Sequence, residues 1–148
     1  MSEHTASIRW ARDGQPFDYE HFPRDHQIRF ERGQTLKGSA APAFFGSADG
    51  VDPEELLVAA LSNCHMITLL AIASKKGWTV DTYEDDAVGI LEKNADGRMA
   101  VTRVTLRPRI TFADKVLEPS ELQRLHESAH RNCFIATSVK TQVTVEPR

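Results

Sequence analysis

Residues 52–77 read DPEELLVAALSNCHMITLLAIASKKG, and this stretch decides the fold. Asp52 suits a helix N-cap, Pro53 fits the first helical position, and Glu54 and Glu55 face the positive end of the helix dipole. Leu56, Leu57, Ala60, Leu61, Cys64, Ile67, Thr68 and Ala71 recur at spacings of three and four, which predicts one apolar stripe. Lys75 and Lys76 suit the C-terminal end, and Gly77 stops the helix. Such a helix has roughly 24 residues and a length of about 36 Å. So long a helix in so short a chain predicts a central element wrapped by sheet, with sheet from more than one subunit as an option.

The flanking segments predict that sheet. Ala6, Ile8 and Trp10 alternate with polar residues, as do Ile28 and Phe30, which is the pattern of half-buried strands. Asp13-Gly14 and Gly33 mark turns. Residues 38–51 are rich in Gly, Ala and Ser and read as a loop. Beyond the long helix, residues 80–93 and 98–112 read as a hairpin joined by Asn94-Ala95-Asp96-Gly97, with Val104, Leu106, Ile110 and Phe112 on one face. A second helix is expected from Ser120, as N-cap, to Arg131, and a short helical turn from Cys133 with Asn132 as its cap. Residues 141–146 alternate again and would close the sheet.

The chain has 148 residues, enough for one ordinary domain, expected over 1–148. A net charge of −3 argues against a nucleic-acid partner. Arg103, Arg107 and Arg109 alternate with Thr105 and Thr111 and read as a solvated sheet face. No run of 18 apolar residues occurs, so no membrane span is expected. The first residues lack the pattern of a signal peptide, so a cytoplasmic location is expected. In a reducing compartment the two cysteines are not expected to form a lasting structural disulfide.

Cys64 lies on the predicted apolar stripe, and on position alone it reads as a buried core thiol. Cys133 follows one helix and starts another, so backbone N–H groups there can stabilise a thiolate. Spacing does not establish that the two meet. His126 and His130 are four apart, with Cys133 three further on, and together with Cys64 they would suit a zinc ion, a minor alternative. His65 points about 100° away from Cys64 on the helix and is a weak general-base candidate. Glu54 lies ten residues before Cys64, about 15 Å along the helix axis. It can serve Cys64 only from a second copy of the helix; otherwise it complements the dipole alone.

The segment DPEELLVAALSNC, residues 52–64, resembles the central-helix motif of the OsmC/Ohr family (osmotically inducible protein C and organic hydroperoxide resistance). The segment AHRNCFIATSVKTQVTV, residues 129–145, resembles the second-cysteine region of the same family. The resemblance runs from about Ile28 to Val145. It implies an α+β fold, an antiparallel sheet wrapped around a long central helix, in an intertwined homodimer. It also implies a cofactor-free thiol peroxidase acting on organic hydroperoxides. Cys64 would be the peroxidatic thiolate, Cys133 the resolving thiol, Glu54 an acid supplied by the partner subunit, and an external dithiol the reductant. The family pairs that acid with an arginine in the loop before the helix, yet here the loop reads Pro42-Ala43-Phe44-Phe45-Gly46. Arg32 and Lys37 lie upstream as possible substitutes. Phe44, Phe45 and Leu61 are expected to form an apolar substrate pocket. The missing arginine keeps a second reading open, a non-enzymatic relative that binds an apolar small molecule or senses oxidants.

Overall fold

The computed structural model describes residues 1–113 and 115–148. One domain was expected, and contacts group the chain into two compact units, 1–56 and 57–148, with the boundary in the first turn of the long helix.

The first unit is an antiparallel meander of β1 (Ala6–Arg9), β2 (His26–Phe30) and β3 (Thr35–Gly38), in which Ile8, Ile28 and Leu36 fall in register. Asp13, Gly14 and Gly33 adopt positive φ, so the predicted turns form where they were read. Ile28 is buried, but Ile8 and Trp10 are exposed and Phe30 is 37% exposed. The alternation therefore did not imply burial for β1, an edge strand whose four residues are all open to solvent within this chain. The 38–51 loop carries a single 3₁₀ turn, Pro42–Phe44. Asp25 organises it, accepting hydrogen bonds from Ser39 Oγ at 2.8 Å and Ser47 Oγ at 2.6 Å and pairing with Lys37 at 2.9 Å. These contacts, that of Ser47 foremost, hold its pKa down at about 2. A Cβ on Gly46 would lie 1.5 Å from the carbonyl oxygen of Ala40, so only glycine fits that close approach.

Helix α1 (Pro53–Lys75) starts where expected, through a reciprocal cap. Asp52 Oδ1 accepts from Glu55 N at 2.7 Å, and Glu55 Oε2 accepts from Asp52 N at 3.1 Å. Gly77, at φ +71°, ends it. The buried line is not the predicted stripe. It runs through Leu61, His65, Leu69 and Ala73, while Ile67 and Ala71 are exposed and Cys64 and Thr68 half-buried. The reason is that the helix is apolar nearly all round, so periodicity could not choose the face. By length and composition α1 is apolar enough to cross a membrane, although Ser62, Asn63 and His65 interrupt its apolar run. Its buried line packs against protein, as a core helix does.

In the second unit each arm of the expected hairpin breaks in two. The strands are β4 (Val80–Asp85), β5 (Val88–Lys93), β6 (Met99–Leu106) and β7 (Pro108–Phe112). β4 pairs with β7, and β5 with β6, antiparallel in both cases. At the break, Asp85 accepts the Arg107 N–H at 2.6 Å and the Ser62 hydroxyl at 2.5 Å. Helix α2 (Pro119–Asn132) begins two residues early for a Ser120 cap, because Pro119 takes the first helical position and Glu118 the cap. Helix α3 (Phe134–Ser138) follows, and β8 (Gln142–Val145) runs parallel to β6.

The break also divides the core. Leu61 packs with Val104 and Leu106, and Leu69 with Leu125, Ala129, Ile110 and Phe112, so the four strand residues read as one face serve two clusters. Arg103, Arg107 and Arg109 are exposed, each within 4.0 Å of a carboxylate (Glu92, Glu146 and Glu84), as a solvated face requires. Truncating Leu61→Ala leaves a cavity in a site with no exposed surface. We expect a loss of about 2–5 kcal/mol, read as a lower urea midpoint at unchanged slope.

Candidate active site

Two helices end on one cysteine. Cys133 sits at φ −76° and ψ 111°, closing α2 and capping α3. Its Sγ accepts the Ala136 N–H at 3.4 Å. Asn132, expected as that cap, is instead the last residue of α2 and donates its Nδ2 to the Ser128 carbonyl at 2.8 Å. The local sequence favours this because the side chain with its acceptor three residues before a free N–H is the cysteine. Cys133 is 1% exposed.

Cys64, half-buried on α1, faces the same helix start, and both thiols are free. Burial alone would raise the Cys64 pKa. The N–H groups of Ile135 and Phe134, the Cys133 thiol and the Thr68 hydroxyl outweigh it and hold the thiol below its ordinary value. Cys133 moves the other way: burial raises it, and so does its contact with Cys64, against partial opposition from the Ala136 and Ile135 N–H groups. The fold thus joins two thiols 69 residues apart and makes them unequal. Cys64 is the better thiolate and Cys133 the better proton holder.

The other expected residues fall as follows. Glu54 is partly exposed in the first turn of α1. Leu61 is fully buried in the core, so it packs and does not face an opening, a correction to its expected pocket role. Phe44 and Phe45 are 44% and 50% exposed in the first unit. Phe45 takes a left-handed φ of 65°, with its ring 5.8 Å from that of Tyr19. Lys37 is held between Asp25 and Asp49, at 2.9 and 2.7 Å, so it is no free substitute for an arginine. Sequence reasoning missed Arg24, whose guanidinium lies 3.5 Å over the Phe22 ring and 5.2 Å from that of Phe45, donating to the Phe22 carbonyl at 2.6 Å and to the Tyr19 carbonyl. No periodicity or motif marks a loop arginine of this kind.

The histidines make a pair of their own. His65 Nε2 and His126 Nδ1 are 3.1 Å apart, with rings stacked at 5.4 Å and 3°. His126 is therefore engaged with His65, and among the described residues no group of three or more His, Cys, Asp or Glu side chains is arranged for a metal, which corrects the zinc alternative. His65, buried, is likewise no base for Cys64. Burial lowers the pKa of each imidazole to about 4, helped in His65 by the neighbouring His126 and His130. The unfolded chain binds protons at these sites from pH 6.5 downward and the folded chain only near pH 4. The contribution of the pair to stability is therefore full above pH 6.5 and is lost as pH drops toward 4. Urea unfolding at pH 7 and pH 4.5 checks this; a midpoint unchanged by acid would contradict it.

The OsmC-like protein family matches residues 46–148. No curated protein matches. Among solved structures, an OsmC-like protein of unknown function from Vibrio cholerae O1 biovar eltor is 42% identical, with TM-score 0.94 and coverage of 100% of both chains. The organic hydroperoxide resistance protein OhrB of Bacillus subtilis shares the fold at 20% identity and TM-score 0.71, covering 99% of this chain and 98% of its own. An OsmC-like protein from Mycoplasma pneumoniae does so at 14% and 0.77, covering 99% and 96%. With the family matched across both cysteines and a relative alike over its whole length, the chain belongs to the OsmC-like family.

Proposed function

We propose that this protein is a thiol peroxidase that reduces organic hydroperoxides with Cys64 and Cys133. The observation that carries the reading is the facing of two free thiols, one lowered and one raised in pKa. The Cys64 thiolate attacks the terminal peroxide oxygen of ROOH. The O–O bond breaks, a proton completes ROH, and Cys64 becomes a sulfenic acid. The Cys133 sulfur then attacks the sulfenic sulfur, releasing water and forming a disulfide. An external dithiol reduces that disulfide by exchange and leaves as its own disulfide.

No arginine stands in the loop before α1, and the N–H groups of Phe134 and Ile135 with the Thr68 hydroxyl supply stabilisation of the thiolate in its place. Glu54, about 15 Å along α1 from Cys64, takes part from the partner subunit of a homodimer. A cytoplasmic setting suits a pair that must return to free thiols.

The test is a thiol count on reduced protein before and after a stoichiometric pulse of cumene hydroperoxide. Wild type should lose both thiols of each chain and Cys64→Ser neither. Cys133→Ser should lose Cys64 alone, trapped by dimedone as a sulfenic acid. Alkylation of Cys64 should accelerate with pH and reach half its maximum rate at a lower pH than in the urea-unfolded chain. Survival of both thiols in excess peroxide would sink the enzyme reading and leave a binding or sensing role.

A further inference from the structure

Away from the thiols, the C-terminal end of α1 and one face of α2 line a cleft of about 280 Å³. Glu121, Arg124, Leu125 and Ser128 face it from α2, at the spacing of a single helix face, and Lys76 and Trp78 from the end of α1. Lys76 lies twelve residues beyond Cys64, about 18 Å along the direction of that helix. Leu125 is 2% exposed and belongs to the core cluster against which Trp78 packs, so both backing side chains are fixed by the core.

The charges of this cleft do not neutralise one another. Two ammonium groups gather on the Trp78 ring, Lys115 Nζ at 4.1 Å from its centroid and Lys76 Nζ at 4.9 Å. Arg124 adds a third cation and Glu121, half-buried, a single carboxylate. Among the described residues none of the three cations has a carboxylate within 4.0 Å, whereas Arg103, Arg107, Arg109 and Arg148 of the same unit each pair with one. Cations and a carboxylate thus line one space without meeting, in a chain whose net charge is −3.

That arrangement specifies its ligand. Three positive charges against one negative call for about two negative charges, so a zwitterion without net charge leaves the cations unbalanced. The Glu121 carboxylate is an acceptor only and needs a donor facing it. A fully ionised oxyanion meets it with a bare oxygen, which repels. We propose that this cleft binds inorganic hydrogen phosphate, with Lys76, Lys115 and Arg124 supplying the positive field and Glu121 accepting the remaining O–H. The volume leaves room for the ion together with a few of its waters.

Inorganic phosphate is the probe. It is titrated at pH 8 and constant ionic strength into the full chain, kept reduced and labelled with ¹⁵N-tryptophan, while the two indole signals are followed by NMR. A saturable shift of the Trp78 signal is expected, with Trp10 unmoved as the internal control. Sulfate, alike in charge and shape but without an O–H, should bind about tenfold more weakly or worse. Phenyl phosphate, whose dianion also lacks an O–H, should resemble sulfate. Arg124→Met and Lys76→Met should each weaken phosphate about tenfold. Glu121→Gln should bring sulfate to within about threefold of phosphate. No saturable shift at Trp78, equal binding of phosphate and sulfate, tighter binding of phenyl phosphate, unchanged affinity in Arg124→Met or in Lys76→Met, or an unchanged preference in Glu121→Gln would each overturn the proposal. The readout is independent of peroxide turnover, so it stands or falls apart from the enzyme reading.

Discussion

A helix that is apolar on nearly every side has to be told which side to bury. In α1 the choice falls on Leu61, His65, Leu69 and Ala73, and the rest of the second unit follows from it. Leu61 meets the β6 side of the sheet break and Leu69 the β7 side, so one helix closes two hydrophobic clusters. Between them lies a polar layer, the His65–His126 pair, that hydrophobic burial alone would not select. A stacked, hydrogen-bonded pair specifies both the rotation of α1 and its level against α2, because a one-residue slip would leave two buried imidazoles unpaired. With α1 so oriented, Cys64 is turned out of the core and toward the start of α3.

That placement uses an ordinary device, the surplus of N–H groups at a helix start, at short range. Five residues of α3 make no appreciable macrodipole, so the effect on Cys64 is one of individual donors: Ile135, Phe134, the neighbouring thiol and Thr68. The opposing shifts of the two cysteines arise together. Each donor that favours a thiolate at Cys64 leaves Cys133 beside a negative charge, in a site with almost no solvent to screen it.

Punctuation was legible in the sequence. Asp52, Pro53 and Gly77 bounded the long helix correctly, and Asn94 to Gly97 formed the expected turn, its Asn94 side chain accepting from the N–H groups of Asp96 and Arg98 at 3.0 Å. These are local decisions, made by residues within a few positions of one another. Choices that depend on distant partners were not legible. The buried side of α1 could not be read from a helix without a polar face. The pairing of His65 with His126 joins segments 61 residues apart. The break between β6 and β7 depends on Asp85 capturing a backbone N–H 22 residues away. Short motifs around each cysteine singled out Cys64 and Cys133 by their resemblance to a family, whereas the contact between the two is a product of tertiary packing.

Cys133 joins two roles in one atom: the sulfur available for bonding is also the acceptor that caps α3. A sulfur bonded to a second sulfur is a poorer acceptor than a thiol or thiolate. The disulfide proposed for Cys133 would therefore weaken the hold on Ala136 N–H and slacken the short helix behind it. On that proposal, redox state would be transcribed into backbone order. A reductant that recognises a loosened 134–138 segment would then meet the oxidised form selectively and pass over the form that has nothing to exchange.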